Sequence, residues 1–175
     1  RLRHFVEELF EGEVRDRGMS AVNRYVQGLL LDGDRKSIEP MAERLAADPS
    51  DVSALRQTLN FSVSKSPWSE QTVLHRMGKV MLKRLPGLRW YALDDTGFPK
   101  KGTESVGVSR QYSGTLGRVD NCQTAVSLHL LGEQGSVCIG FRLYLPEVWA
   151  EDRKRRQKVA VPDEIEFATK WRISL

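Results

Sequence analysis

Up to about residue 85 the apolar residues return every three or four positions, and beyond residue 88 they gather into short runs separated by Gly, Ser and charged residues. The first pattern is that of amphipathic helices and the second that of strands and turns. Five stretches carry the helical pattern: VEELF, MSAVNRYVQGLLL, SIEPMAERLAA, DVSALRQTLNFSV and SEQTVLHRMGKVMLKRL. In the last of these, Val73, Met77, Val80 and Met81 share a face from which Lys79 and Lys83 point away. Ser37, Ser50 or Asp51, and Ser69 stand where N-caps belong, and Pro86-Gly87 closes the last helix. Residues 1–87 are therefore expected to form a helical domain of about five helices.

From Leu88 the chain reads LRWYALDD, a strand that is expected to end in its two acids, then a Gly-, Ser- and Lys-rich stretch to about Asn121. Two further strands, NCQTAVSLHLL and GSVCIGFRLYL, flank the turn-like GEQG, the charged AEDRKRRQKVA follows, and VPDEIEFATKW reads as a final helix. Residues 88–175 thus add strands and a helix, and the chain as a whole reads as α+β. Repeats and low-complexity tracts are absent from the sequence.

Composition narrows the class. With 175 residues, 40 % hydrophobic and 29 % charged, the chain is an ordinary globular protein. Its apolar runs fall far short of the roughly 20 residues of a membrane span, and no secretory leader opens it, so a cytoplasmic protein is expected. Lys and Arg number 27 against 23 acids, a net charge of +4 that permits nucleic-acid binding without requiring it. The chain begins with Arg1 and stops inside the helical-looking FATKWRISL, so both ends are expected to be cut. If the hairpin turns near Glu133, Cys138 faces about Leu128 and Cys122 about Tyr144, leaving the sulfurs about 20 Å apart and unbridged. His4, His75 and His129 lack zinc spacing; His75 and His129 read as packing residues, as do Trp68, Trp90, Trp149 and Trp171.

Asp94 and Asp95 raise the chemical question. Neighbours on a strand point to opposite faces, so only one of them enters a cleft unless the strand ends between them. Either the pair opens a turn with Thr96, Gly97 and Pro99, or one carboxylate holds a divalent cation.

The run DDTGFPKKGTESVGVSRQYSGTLGRVDNCQ, followed by RLYLPEVWAEDRKRR and VPDEIEFATKW, closely resembles bacterial insertion-sequence transposases of the Asp-Asp-Glu superfamily. The branch it resembles has its first acid in a D-[D/E]-T-G-x-x-K-K-G motif, followed by S-V-G-V-x-R-Q-Y-S-G-T-x-G and N-C-Q. The resemblance is strong from about Leu88 to Trp171 and looser over residues 1–85. It implies an RNase H-like core, of which this chain would supply the first three strands and first helix, a truncated part. The implied activity is DNA cleavage and joining of the freed 3′ hydroxyl to a target, with two Mg2+ or Mn2+ ions about 4 Å apart. The implied partners are the terminal inverted repeats of the protein's own element and target DNA, met by a homodimer near the nucleoid.

In that branch the first acid stays Asp while the second is sometimes Glu, so the resemblance points to Asp94 as catalytic metal ligand. Asp95 is the alternative, or a support behind it. The second Asp and the Glu of the superfamily lie beyond Leu175. Glu147, Glu151, Asp152, Asp163, Glu164 and Glu166 precede the expected fourth strand and are not assigned to those positions. The chain alone is therefore expected neither to cut nor to join DNA, which leaves a truncated DNA-binding repressor or a non-functional relic as alternatives.

Candidate DNA contacts fall in three places. Lys100 and Lys101 follow the acids and either meet the phosphate of a strand held there or simply neutralise them. Arg110, Gln111, Tyr112 and Arg118 lie in the Gly-rich stretch, as DNA contacts or as part of a plain ribbon. Arg153, Arg155 and Arg156, within the basic run DRKRRQK, either follow a DNA backbone or make a solvated face. In the helical half, IEPMAERLAADPSDVSALRQTLN has a helix-turn-helix layout that would turn Arg56, Gln57 and Asn60 to a groove.

Overall fold

The computed structural model describes residues 1–173 and divides into two compact units, Arg1–Arg76 and Met77–Leu175. The division falls inside the fifth helix, so the last turns of that helix belong with the strands.

The first unit is helical: α1 (Leu2–Phe10), α2 (Asp16–Leu30), α3 (Ile38–Leu45), a 3-10 turn (Pro49–Asp51), α4 (Val52–Ser64) and the start of α5 (Glu70–Arg84). Met41, Ala42, Leu55 and Leu59 are its buried centre, with Tyr25 of α2 packed against them. Gly28 lets α2 approach, since a Cβ there would lie 3.1 Å from the Met41 sulfur and from Leu45 Cδ1. Of the expected caps, Ser69 Oγ accepts from the Thr72 amide at 3.2 Å. Asp48, rather than Ser50, caps the 3-10 turn, its carboxylate accepting from the Ser50 amide at 2.8 Å. Trp68 donates to the Ser62 carbonyl and packs edge-on against Phe10, their centroids 5.4 Å apart.

The second unit holds β1 (Trp90–Pro99), β2 (Ser109–Ser113), β3 (Arg118–Gly132), β4 (Gly135–Leu143) and three short helices, α6 (Glu147–Ala150), α7 (Arg153–Lys158) and α8 (Lys170–Ile173). All strand pairs are antiparallel. The 15-residue β3 organises the sheet: β1 runs along one edge of it, while β2 and then β4 occupy the other. The fold is α+β, as the sequence pattern predicts.

Three expectations change. First, β1 does not stop at the acids but continues through Asp94-Asp95-Thr96-Gly97 to Pro99, because β3 offers partners as far as Cys122. Second, the β3–β4 turn centres on Glu133-Gln134, so Cys138 faces His129 rather than Leu128, and beyond that pair Ile139 is an extra residue in a bulge. Cys122 pairs with Pro99 and Ser109 instead of Tyr144, and both cysteines are free thiols. Third, the segment expected as a long final helix is mostly irregular, whereas the basic run before it is helical. In the one, the carbonyls of Pro162, Asp163 and Ile165 accept from Arg156 in place of backbone amides, and in the other the Asp152 carboxylate forms the cap by accepting from the Arg155 amide at 3.0 Å. The last two residues of FATKWRISL lie outside the described residues.

Trp149 is fully buried, whereas Trp90 and Trp171 are 67 % and 68 % exposed, so neither of those two is a core residue. His75 is likewise on the surface. No helix among the described residues is long and apolar enough to cross a membrane.

Candidate nucleic-acid interface and its carboxylates

Because β1 stays extended through the acids, the pleat separates them. Directly paired residues share a face, so Asp94 lies with Thr96, Phe98, Asn121, Gln123, Ala125 and Ser127, on what is here termed the first face. Asp95 lies on the second face with Gly97, Thr124 and Val126. Side-chain contacts agree with this division: Phe98 of β1 meets Phe141 of β4 across the first face, centroids 6.3 Å apart. On the second face Lys170 pairs with the Asp95 carboxylate. Gly97 has to be glycine there, because a Cβ would lie 2.4 Å from Ser113 Oγ and 3.2 Å from its Cα.

The two carboxylates therefore differ. Asp95 is bound to an ammonium group that also lies over the Tyr144 ring. Asp94 is exposed, with one oxygen accepting the Asp95 amide at 2.8 Å, and among the described residues no lysine or arginine pairs with it.

Past Asp94 the first face becomes basic. The Lys100 amide donates to the Asn121 carbonyl, and Asn121 in turn pairs with Arg110 on β2, giving a row Lys100, Asn121, Arg110 across the sheet. Two strand spacings put the backbones of the two cationic residues roughly 10 Å apart. One step further along the ribbon, Tyr112 and Val119 form the next pair on the same face, 61 % and 53 % exposed. Gln111 and Arg118 point the other way: Gln111 donates to the Cys122 carbonyl at 2.9 Å, and Arg118 pairs with Asp120 at 2.8 Å. The amide of Asn121 and then Arg118 hold the Asp120 carboxyl below its ordinary pKa. Alternation thus divides the four ribbon candidates into two pairs. Six residues of strand also put Lys100 about 20 Å from Asp94, so the two cannot meet the same phosphate.

The loop that carries the lysines is tied down through its own carbonyls. Asn121 Nδ2 donates to Lys100 and Gly102, Gln123 Nε2 to Val106, Trp149 Nε1 to Val108 at 2.7 Å, and Arg155 to Thr103. Below it Val108, Leu145 and Trp149 form a small buried core. Gly107, at φ +77°, sits so close to Tyr144 that a Cβ would be 2.7 Å from its carbonyl oxygen. Nothing in the sequence marks Asn121, Gln123 and Trp149 as anchors of this loop beyond a polar Asn and Gln flanking Cys122 at the start of an apolar strand.

The basic run divides too. Arg156 donates to the carbonyls of Ala150, Pro162, Asp163 and Ile165, and Arg155 stacks 3.6 Å over the Trp149 ring. Both hold the chain together around α7, while Arg153 is exposed. On α4, Arg56, Gln57 and Asn60 are exposed, and Arg56 lies 3.8 Å from Glu39.

Residues 8–175 match the family model described as DDE superfamily endonuclease. The chain belongs to that family. Over 103 residues it is 30 % identical to the probable transposase for insertion sequence element IS701 of Microchaete diplosiphon, a stretch covering 58 % of this chain and 26 % of that protein. The chain thus spans about a quarter of the length of the curated relative it matches. No solved structure matches it.

A two-ion centre of the kind expected for a DDE endonuclease needs several carboxylates converging on one point. Among the described residues no group of three His, Cys, Asp or Glu side chains is placed to hold a metal ion. With Asp95 on the opposite face and bound to Lys170, Asp94 stands alone, and these residues do not by themselves fit such a centre. What they do provide is an exposed carboxylate and, farther along the same face, cations on an anchored loop and ribbon.

Proposed function

We propose that this chain is the DNA-engaging front part of a transposase whose RNase H-like core begins at β1, with Asp94 as the first carboxylate of the catalytic set. The observation that carries this reading is that Asp94 shares one face of the sheet with Lys100, Arg110 and Tyr112, while Asp95 is turned away and neutralised by Lys170. A nucleic-acid backbone laid along β1 on that face would run from the carboxylate to Lys100, a span of about 20 Å, or roughly six base pairs of duplex. Lys100, Lys101 and Arg110 would meet phosphates, with Arg153 as an outlying contact, whereas Arg155 and Arg156 serve the fold.

For the intact protein the reading is divalent-metal-dependent cleavage and joining of DNA at the ends of its own element, as a homodimer on paired ends. The absence of a converging acid set among the described residues favours a second reading for this segment alone: a module that binds DNA without cutting it.

The test has two arms. The purified 175-residue chain should bind duplex DNA with a steep salt dependence yet leave a labelled duplex uncut in Mg2+ or Mn2+; turnover would overturn the reading. In the intact protein, Asp94→Asn should abolish strand transfer and Asp95→Asn should spare most of it, and the reverse result would reassign the ligand.

A further inference from the structure

β1 pairs with β3 only as far as Cys122, and from Ser109 to Ser113 and from Arg118 to Asn121 the β2–β3 hairpin continues as a two-stranded ribbon that bends back over the second face, bringing Ser113 against Gly97. Its second face is covered, with Ser113 1 % exposed, while its first face leaves Tyr112 61 %, Val119 53 % and, at its turn, Leu116 36 % exposed. Tyr112 and Val119 are a cross-strand pair on the first face, with Arg110 two residues from Tyr112 on the same side and Lys100 across Asn121. The ribbon's acid, Asp120, pairs with Gln111 and so points to the opposite side, where Arg118 holds it.

We infer that Tyr112 and Val119 form a stacking subsite for an unpaired nucleobase at a DNA strand end, flanked by Arg110 and Lys100 for the adjoining phosphates. The inference rests on the reading that this face engages DNA and says what form of DNA it takes. An exposed ring beside an apolar branched side chain offers a flat surface and few donors, which suits the face of a base rather than its edge. The two side-chain amides of the ribbon are not free for a base edge, since Gln111 is turned inward onto the Cys122 carbonyl and Asn121 donates to the carbonyls of Lys100 and Gly102. Among the described residues the ribbon's own acid, Asp120, is held by Arg118 on the other side, and the two cations near the pair complement a polyanion.

The experiment compares a blunt 20-base-pair duplex with the same duplex carrying an unpaired tail of about five nucleotides, one of them 2-aminopurine, titrated with the full 175-residue chain. The tail should tighten binding by about five-fold or more, in line with the 1–3 kcal/mol that stacking of one base contributes, and should quench the 2-aminopurine. Tyr112→Ala should remove both effects, so that the variant binds tailed and blunt duplex alike and does not quench the 2-aminopurine, with its circular dichroism spectrum unchanged, and Tyr112→Trp should keep them. Equal affinity for blunt and tailed DNA, or quenching that survives Tyr112→Ala, overturns the stacking subsite and leaves the proposed function standing. Failure to bind either DNA overturns both. Sedimentation of the free chain covers the remaining occupant: a dimer that Tyr112→Ala dissociates would make the ribbon a self-association surface and end the inference.

Discussion

The helical unit and the strand unit bury their apolar residues to different degrees. In the first, Met41, Ala42 and Leu59 are fully buried and the helices close over their own core. In the second, β1 leaves Trp90, Tyr91 and Leu93 more than half exposed, while Trp149 and Val108 beneath the lysine-bearing loop are sealed. A helix satisfies its backbone internally and needs a partner for one stripe only, whereas a strand needs neighbours at both edges and on its faces. In the strand unit the side-chain hydrogen bonds of Asn121, Gln123, Trp149 and Arg155 converge on the lysine-bearing loop, which is held in place by them rather than by regular backbone pairing.

The strongest challenge to that contrast is Trp149→Ala, which should cost about 3–5 kcal/mol by the opened cavity and the lost bond to Val108. Urea unfolding would give the magnitude, and hydrogen exchange should show the loss in residues 100–110; an effect as small as that of a surface substitution would mean that the loop does not depend on its core. Leu59→Ala is the matching test in the helices, with about 2–5 kcal/mol expected and its exchange signature in α3 and α4. Gly107→Ala comes next. Its left-handed backbone alone penalises a side chain by about 1–2 kcal/mol, and contact with the Tyr144 carbonyl adds to this. Affinity for duplex DNA should fall with it if the loop presents Lys100 and Lys101 to phosphates.

Asn121→Ala sharpens the comparison at lower cost, about 1–2 kcal/mol, because it frees the carbonyls of Lys100 and Gly102 to find water. The smallest effect is expected at Glu104, whose carboxyl is held below its ordinary pKa first by a hydrogen bond from Lys158 and then by that lysine's charge. A depressed carboxylate stabilises the fold above the ordinary value of about 4.3 and loses that contribution as pH falls through the lower folded value. Glu104→Gln should therefore be slightly less stable than the parent at pH 6 and indistinguishable from it near pH 2, as read from paired thermal melts.

How far the site was legible in the chain varies from residue to residue. Asp94 and the lysines were visible because two adjacent acids and two adjacent lysines are unusual neighbours, and the surrounding motif resembled a known family. The separation of Arg110 and Tyr112 from Gln111 and Arg118 was implicit in a period of two, but needed the strand β2 to be placed first. The roles of Arg155 and Arg156 were hidden, because a basic run reads the same whether its guanidinium groups meet phosphates or the chain's own carbonyls.

By itself the sequence determined the five helices, the α+β class and the family, since periodicity and contiguous motifs are local properties of a chain. Only the tertiary structure decided that β1 runs through its acids, that Asp94 and Asp95 face opposite sides, and that Lys170 holds one of them. Those outcomes depend on β3 pairing with β1 from Leu131 back to Cys122 and on a lysine 75 residues away in sequence, and no local pattern encodes contacts of that range.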